Sequence, residues 1–112
     1  MKTIVLVTGG FDPLHSGHID YFKAAKLLGD ELHVGLNSNE WLTNKKGRAF
    51  MPFEERASVI ENLSMVDKVI SFDDSDNSAC GAIYKTMATN GKVKIIFANG
   101  GDRTDTTTPE YK

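Results

Sequence analysis

The chain has 112 residues, enough for one domain with a modest core. Hydrophobic residues make up 40% and charged residues 25%, and the net charge of −2 gives no general electrostatic reason to expect nucleic acid as a partner. The single cysteine, Cys80, excludes an internal disulfide and a cysteine-built metal site, and no apolar run approaches the length of a membrane span. Met1-Lys2 leads straight into a strand-like run rather than a charged-then-apolar leader, so a cytoplasmic protein with no membrane partner is expected.

Strand and helix patterns alternate along the chain. Thr3 to Thr8 reads as a strand, and its nearly continuous apolar run suits burial on both faces. A helix is expected from about Gly17 to Leu28, with Ile19, Phe22, Ala25 and Leu28 as its buried stripe and Gly29 as its stop. Glu31 to Leu36 is the second strand. Asn37-Ser38-Asn39 is suited to cap a short helix near Glu40-Trp41-Leu42, and a basic, flexible segment follows from Asn44 to Arg48. Pro52, Glu54 and Glu55 mark the start of another helix, with Ala57, Ile60 and Leu63 or Ser64 on its inner face. Lys68 to Phe72 is the third strand, Ala82 to Ala88 a helix ended by Asn90-Gly91, and Val93 to Ala98 the fourth strand. This order predicts an α/β fold, a single-domain, doubly wound parallel sheet of Rossmann-like type, with ligands beyond the carboxyl ends of its strands.

The most informative stretch joins the first strand to the first helix: Gly9-Gly10-Phe11-Asp12-Pro13-Leu14-His15-Ser16-Gly17-His18. A glycine-rich turn ahead of a helix gathers backbone N–H groups and the positive end of the helix dipole, which favours phosphate. Gly9 and Gly10 let the main chain approach a ligand closely, and His15 and His18, three apart, share a helix face. Asp12 is read chiefly as fixing the turn through bonds to backbone, and Phe11 equally as a packing residue or as a nucleotide contact through its backbone.

Gly-x-Phe-Asp-Pro-x-His-x-Gly-His resembles the signature of the cytidylyltransferase-like nucleotidyltransferases, and the likeness extends from Lys2 to Asp102. It implies transfer of a nucleotidyl group from ATP or CTP, with Mg2+, to a small phosphorylated acceptor such as a sugar or polyol phosphate, releasing pyrophosphate. It also implies that His15 and His18 act on the triphosphate, that Gly9, Gly10, Phe11, Asp12 and Gly17 line the nucleotide, and that the protein is a homodimer. No protein-built metal site is expected. Lys45-Lys46-Gly47-Arg48 precedes Pro52-Phe53-Glu54-Glu55-Arg56, as a phosphate-binding basic loop does in relatives. Lys45 and Arg48 are therefore assigned to catalysis and Lys46 to the nucleotide, although the pattern leaves open which lysine has which role. Gly100-Gly101-Asp102, after the fourth strand, resembles a motif that lies against base and ribose. Arg56 and Asp67 match family positions with either functional or structural roles.

The ending from Arg103 to Lys112 lacks the further strand and Ser/Thr-rich helix start seen in relatives, so the chain reads as a minimal or C-terminally truncated member. A nucleotide-binding module without turnover is the alternative. The Gly47-Arg48 and Gly100-Gly101-Asp102 pairing looks most like heptose-1-phosphate adenylyltransferases, with glycerol-3-phosphate cytidylyltransferases close behind. Trp41 is left between core and acceptor-pocket roles, and His33 is read as structural. The acidic run Asp73-Asp74-Ser75-Asp76-Asn77 fails as a calcium loop, because Ala79 and Lys85 stand where glycine and glutamate are required, and is expected to be a solvated loop.

Overall fold

The computed structural model describes residues 2–75 and 79–98. Its elements are β1 (Thr3–Gly9), α1 (Ser16–Lys26), β2 (Glu31–Leu36), α2 (Asn39–Lys46), α3 (Phe53–Glu61), β3 (Lys68–Ser71), α4 (Cys80–Asn90) and β4 (Lys94–Phe97). The strands form one parallel sheet in the order β3-β2-β1-β4. Val5 pairs with Leu32 on one side and with Ile96 on the other, so β1 is central. Alternation along the strands sends Val5, Val7, Leu32, Val34 and Leu36 to a core shared with Phe22 and Ala25 of α1 and Ile60 of α3. Leu6 and Ile70 face the opposite way, toward Ala82 of α4. Helices on both faces make the sheet doubly wound, as the alternating pattern predicts.

Several boundaries differ from expectation for identifiable reasons. Leu28 does not join the buried stripe of α1; it is 54% exposed and Leu27 87% exposed, because the helix ends at Lys26. Gly29 serves close packing rather than a left-handed stop: a Cβ there would lie 2.9 Å from the side chains of both Thr3 and Val5. The expected flexible basic segment is instead the last turn of α2, where Lys45 and Lys46 complement the helix dipole and Gly47 closes the end at φ 92°. Helix α3 ends at Glu61, so Leu63 and Ser64 lie in the turn beyond it, where Leu63 packs against the core and Ser64 is exposed. Helix α4 begins earlier than expected, at Cys80, and runs so close to the β3–α4 loop that a Cβ on Gly81 would meet the Asp73 carbonyl at 2.7 Å.

Among the described residues Arg56 is the largest fully buried side chain. Its guanidinium donates to the carbonyls of Met51 (2.9 Å), Gly10 (3.0 Å) and Asn37 (2.8 Å) and to Asn39 Oδ1 (2.8 Å). Asp67 is likewise structural, accepting from the Leu32 N–H at 2.8 Å and pairing with Lys26. Removing a buried donor strands its acceptors at their desolvation cost. Arg56→Leu is therefore expected to lower the unfolding free energy by about 3 kcal/mol or more. Urea denaturation checks this; a loss below about 1 kcal/mol contradicts the role assigned to the guanidinium.

Candidate nucleotide site at the carboxyl end of the sheet

The turn after β1 is shaped by its own side chains. A Cβ on Gly9 would lie 2.8 Å from the Phe11 ring, and one on Gly10 2.6 Å from Leu42 Cδ2. In this structure both glycines admit neighbouring side chains as much as they would a ligand. Phe11 has φ 51°, in the left-handed region that a bulky residue seldom adopts, and the Asp12–Pro13 peptide is cis. The Phe11 ring is buried and meets Phe22 and His18 edge-on, each at 5.0 Å, so its contribution to a ligand is limited to its backbone.

The two histidines cap α1 reciprocally. His15 occupies the N-cap, and its Nδ1 accepts from the Gly17 N–H at 3.1 Å. His18 Nδ1 accepts from the His15 N–H at 3.2 Å. An imidazole that accepts at Nδ1 carries its proton at Nε2, so the hydrogen bonds assign both rings the same tautomer. The amides of His15 and Gly17 are thereby satisfied by imidazole rather than left open for phosphate. What α1 offers an anion in their place is two Nε2–H groups on rings stacked 3.9 Å apart, together with the helix dipole. Gly17 is needed for this fold-back, since a Cβ there would come within 2.9 Å of His15 Cε1.

Asp12 holds the neighbouring loop. Its fully buried carboxylate accepts from the N–H groups of Phe50 (2.6 Å) and Met51 (2.8 Å) and pairs with Lys46 at 3.4 Å. Burial alone would raise its pKa, but these bonds and the Lys46 charge outweigh it and hold the carboxyl below its ordinary value. Lys46 also donates to the Asp12 carbonyl. Lys45 instead lies over the Trp41 ring at 4.7 Å, and the exposed Arg48 stacks on Phe50 at 5.0 Å. The lysines are thus distinguished by geometry: Lys46 secures the turn, whereas Lys45 rests on the wall of a cleft.

That cleft, about 480 Å³, is lined by Ser38, Glu40, Trp41, Phe72, Asp73 and Asp74 among others. Trp41 is therefore half-buried cleft lining, and its Cζ3 would lie 3.7 Å from a Cβ on Gly10. The expectation of a wholly solvated acidic loop fails at Asp74. Its buried carboxylate accepts from Asn37 Nδ2 (3.0 Å), the Ser38 N–H (2.8 Å) and Ser38 Oγ (2.9 Å). The sequence signal was available as Asn37-Ser38, a pair of donors with no local acceptor, but its partner lies far along the chain. His33 is buried with Nε2 2.8 Å from Glu31 Oε1, a structural position. Gly100, Gly101 and Asp102 lie outside the described residues.

The paired imidazole donors at the start of α1 and the basic end of α2 thus lie beyond the same edge of the parallel sheet. The chain belongs to the cytidylyltransferase-like family, whose model matches residues 6–112. Among curated proteins it is 36% identical to the bifunctional protein HldE of Actinobacillus succinogenes over 90% of this chain and 24% of that protein. It is 45% identical to HldE of Campylobacter fetus over 65% of this chain and 16% of that protein. The chain thus spans about a quarter or less of the length of these relatives. In structure it is similar to a lipopolysaccharide core biosynthesis protein from Thermoplasma volcanium, with a TM-score of 0.68 and 26% identity over 91% of this chain and all of that one.

The capping geometry has a pH consequence. Burial, and next the neighbouring His15, lower the pKa of His18 from its ordinary 6.5, so the folded state favours the neutral ring. A depressed folded pKa contributes stability that is present above the unfolded value of 6.5 and is lost as pH falls through the lowered native value. The melting temperature is expected to drop as pH is taken from 7.5 to 5.5, above the carboxylate range, and to drop less in His18→Gln, whose amide takes up no proton. Equal slopes in the two proteins would assign the effect elsewhere.

Proposed function

We propose that the domain transfers a nucleotidyl group from ATP or CTP to a small phosphorylated acceptor, a sugar or polyol phosphate, with release of pyrophosphate. The observation that carries this reading is the reciprocal cap, which commits both Nδ1 atoms to backbone donors and leaves both histidines as Nε2–H donors. An acceptor phosphate oxygen attacks the α-phosphorus, the bond from that phosphorus to the bridging oxygen of the β-phosphate breaks, and pyrophosphate departs with the electron pair. The nucleophile is already anionic, so no covalent enzyme intermediate is needed. Catalysis then consists of positioning and of stabilising charge that develops on the phosphoryl oxygens.

In this reading His15 and His18 donate to the triphosphate, while Lys45 and Arg48 supply exposed cations and Lys46 keeps the turn in place. Mg2+ enters as part of the nucleotide substrate and neutralises phosphate charge there. Cleft-lining Trp41, Phe72 and Glu40 suit the body of a hydroxylated acceptor, since an aromatic face packs on C–H groups and a carboxylate accepts from hydroxyls. The likeness to the HldE proteins and to a lipopolysaccharide core biosynthesis protein supports a sugar phosphate over other acceptors.

The test is pyrophosphate release with Mg2+, ATP or CTP, and a panel of sugar and polyol phosphates. Release with one nucleotide and one acceptor is expected, with His18→Ala slower by about 100-fold, the cost of removing one preorganised donor. Saturable nucleotide binding without release would replace turnover with the binding-only reading. Absence of both binding and release would reject the nucleotide site altogether.

A further inference from the structure

The strand order β3-β2-β1-β4 reverses direction between β1 and β4. In an open α/β sheet the ligand crevice lies outside the carboxyl ends of the strands at such a reversal. On one side of it stand the turn after β1 and the histidines of α1. On the other side the chain leaves β4 at Ala98, whose N–H makes a last rung to the Leu6 carbonyl at 2.9 Å. A side chain of α1 bridges the two sides. Tyr21 of α1 donates its hydroxyl to the Ala98 carbonyl at 2.7 Å.

Tyr21 lies three residues beyond His18, one turn along the same helix face. Its ring packs against the core formed by α1 and the sheet, a contact that phenylalanine would make equally well. The hydroxyl is what distinguishes tyrosine here, and its partner is the carbonyl at the exit of β4. Burial pushes the phenol pKa well above its ordinary value, so the group remains a donor throughout the range in which the protein would work.

We propose that Tyr21 is a positioning residue for the nucleoside half of the ligand: its hydroxyl sets the span between the histidine-bearing helix and the carboxyl end of β4, and thereby the width of the crevice that base and ribose enter. The triphosphate end is organised locally by the His15–His18 cap, whose two hydrogen bonds run between the imidazoles and the amides of His15 and Gly17 and not through the Tyr21 hydroxyl. The inference rests on the nucleotide reading above. It predicts that loss of the hydroxyl separates two affinities that a general loosening of the fold would reduce together.

Tyr21→Phe keeps the ring and removes only the bridge. Calorimetric titration with inorganic tripolyphosphate and with the preferred nucleoside triphosphate, both below the variant's melting midpoint, provides the readout. Tripolyphosphate affinity is expected to stay within about twofold of wild type while nucleoside triphosphate affinity weakens about tenfold, the scale of one buried hydrogen bond. Equal weakening for both ligands, or no change for either, overturns the proposal while leaving nucleotide binding intact. Wild-type protein that binds neither ligand overturns the nucleotide reading and this inference with it.

Discussion

The carboxyl edge of the sheet depends on one buried guanidinium. Three loops converge there: the turn after β1, the entry to α2 and the approach to α3. Each brings a carbonyl that its own secondary structure does not satisfy. Arg56 donates to Gly10, Asn37 and Met51 at once, and a fourth bond reaches Asn39. Burial disfavours its charge, and Asp12, Glu54 and Asp74 oppose that cost through their fields rather than through a direct ion pair. A planar fork with several fixed donors fits three carbonyls better than a point-charge ammonium would. Charge is thus used at this edge to hold backbone before it is used on any ligand.

The same economy explains the phosphate corner. Asp12 spends its carboxylate on the Phe50 and Met51 amides and on Lys46, which fixes the loop carrying Arg48 against the turn carrying the histidines. The histidines spend their Nδ1 atoms on the amides of the helix start. Each imidazole therefore has its tautomer set by a bond made before any ligand arrives, and preorganisation of that kind lowers the reorganisation needed as charge develops. The left-handed Phe11 is consistent with the same constraint, because its inverted backbone turns the ring inward beneath His18.

Membership of the cytidylyltransferase-like family and the likeness to HldE proteins describe a domain that relatives use within longer chains. Local features adapt the scaffold here. The cleft beside Trp41 combines an aromatic wall with carboxylates, and Lys45 rests on that wall rather than on the turn. The Tyr21 bridge ties α1 to the end of β4, where the sheet order reverses.

By itself the sequence determined the alternation of elements, the buried central strand and the signature turn, because each is encoded in adjacent residues: apolar runs, glycines before a helix, histidines three apart. It also placed Ile60, Phe22 and Ala25 in the core through helical periodicity. Tertiary structure decided what depended on residues distant in sequence. The sequence offered Asp74 as part of a solvated acidic run, and only packing against Asn37 and Ser38 made it a buried anchor. Gly29 looked like a helix stop, and only its approach to Thr3 and Val5 gave it a different reason. Lys45 and Lys46 were indistinguishable as neighbours in a basic run, and the helix separated them because successive residues point about 100° apart, one toward Trp41 and the other toward Asp12. Periodicity is a local property and can be read along a chain, whereas the partner of a buried polar group is set by which loops the fold brings together.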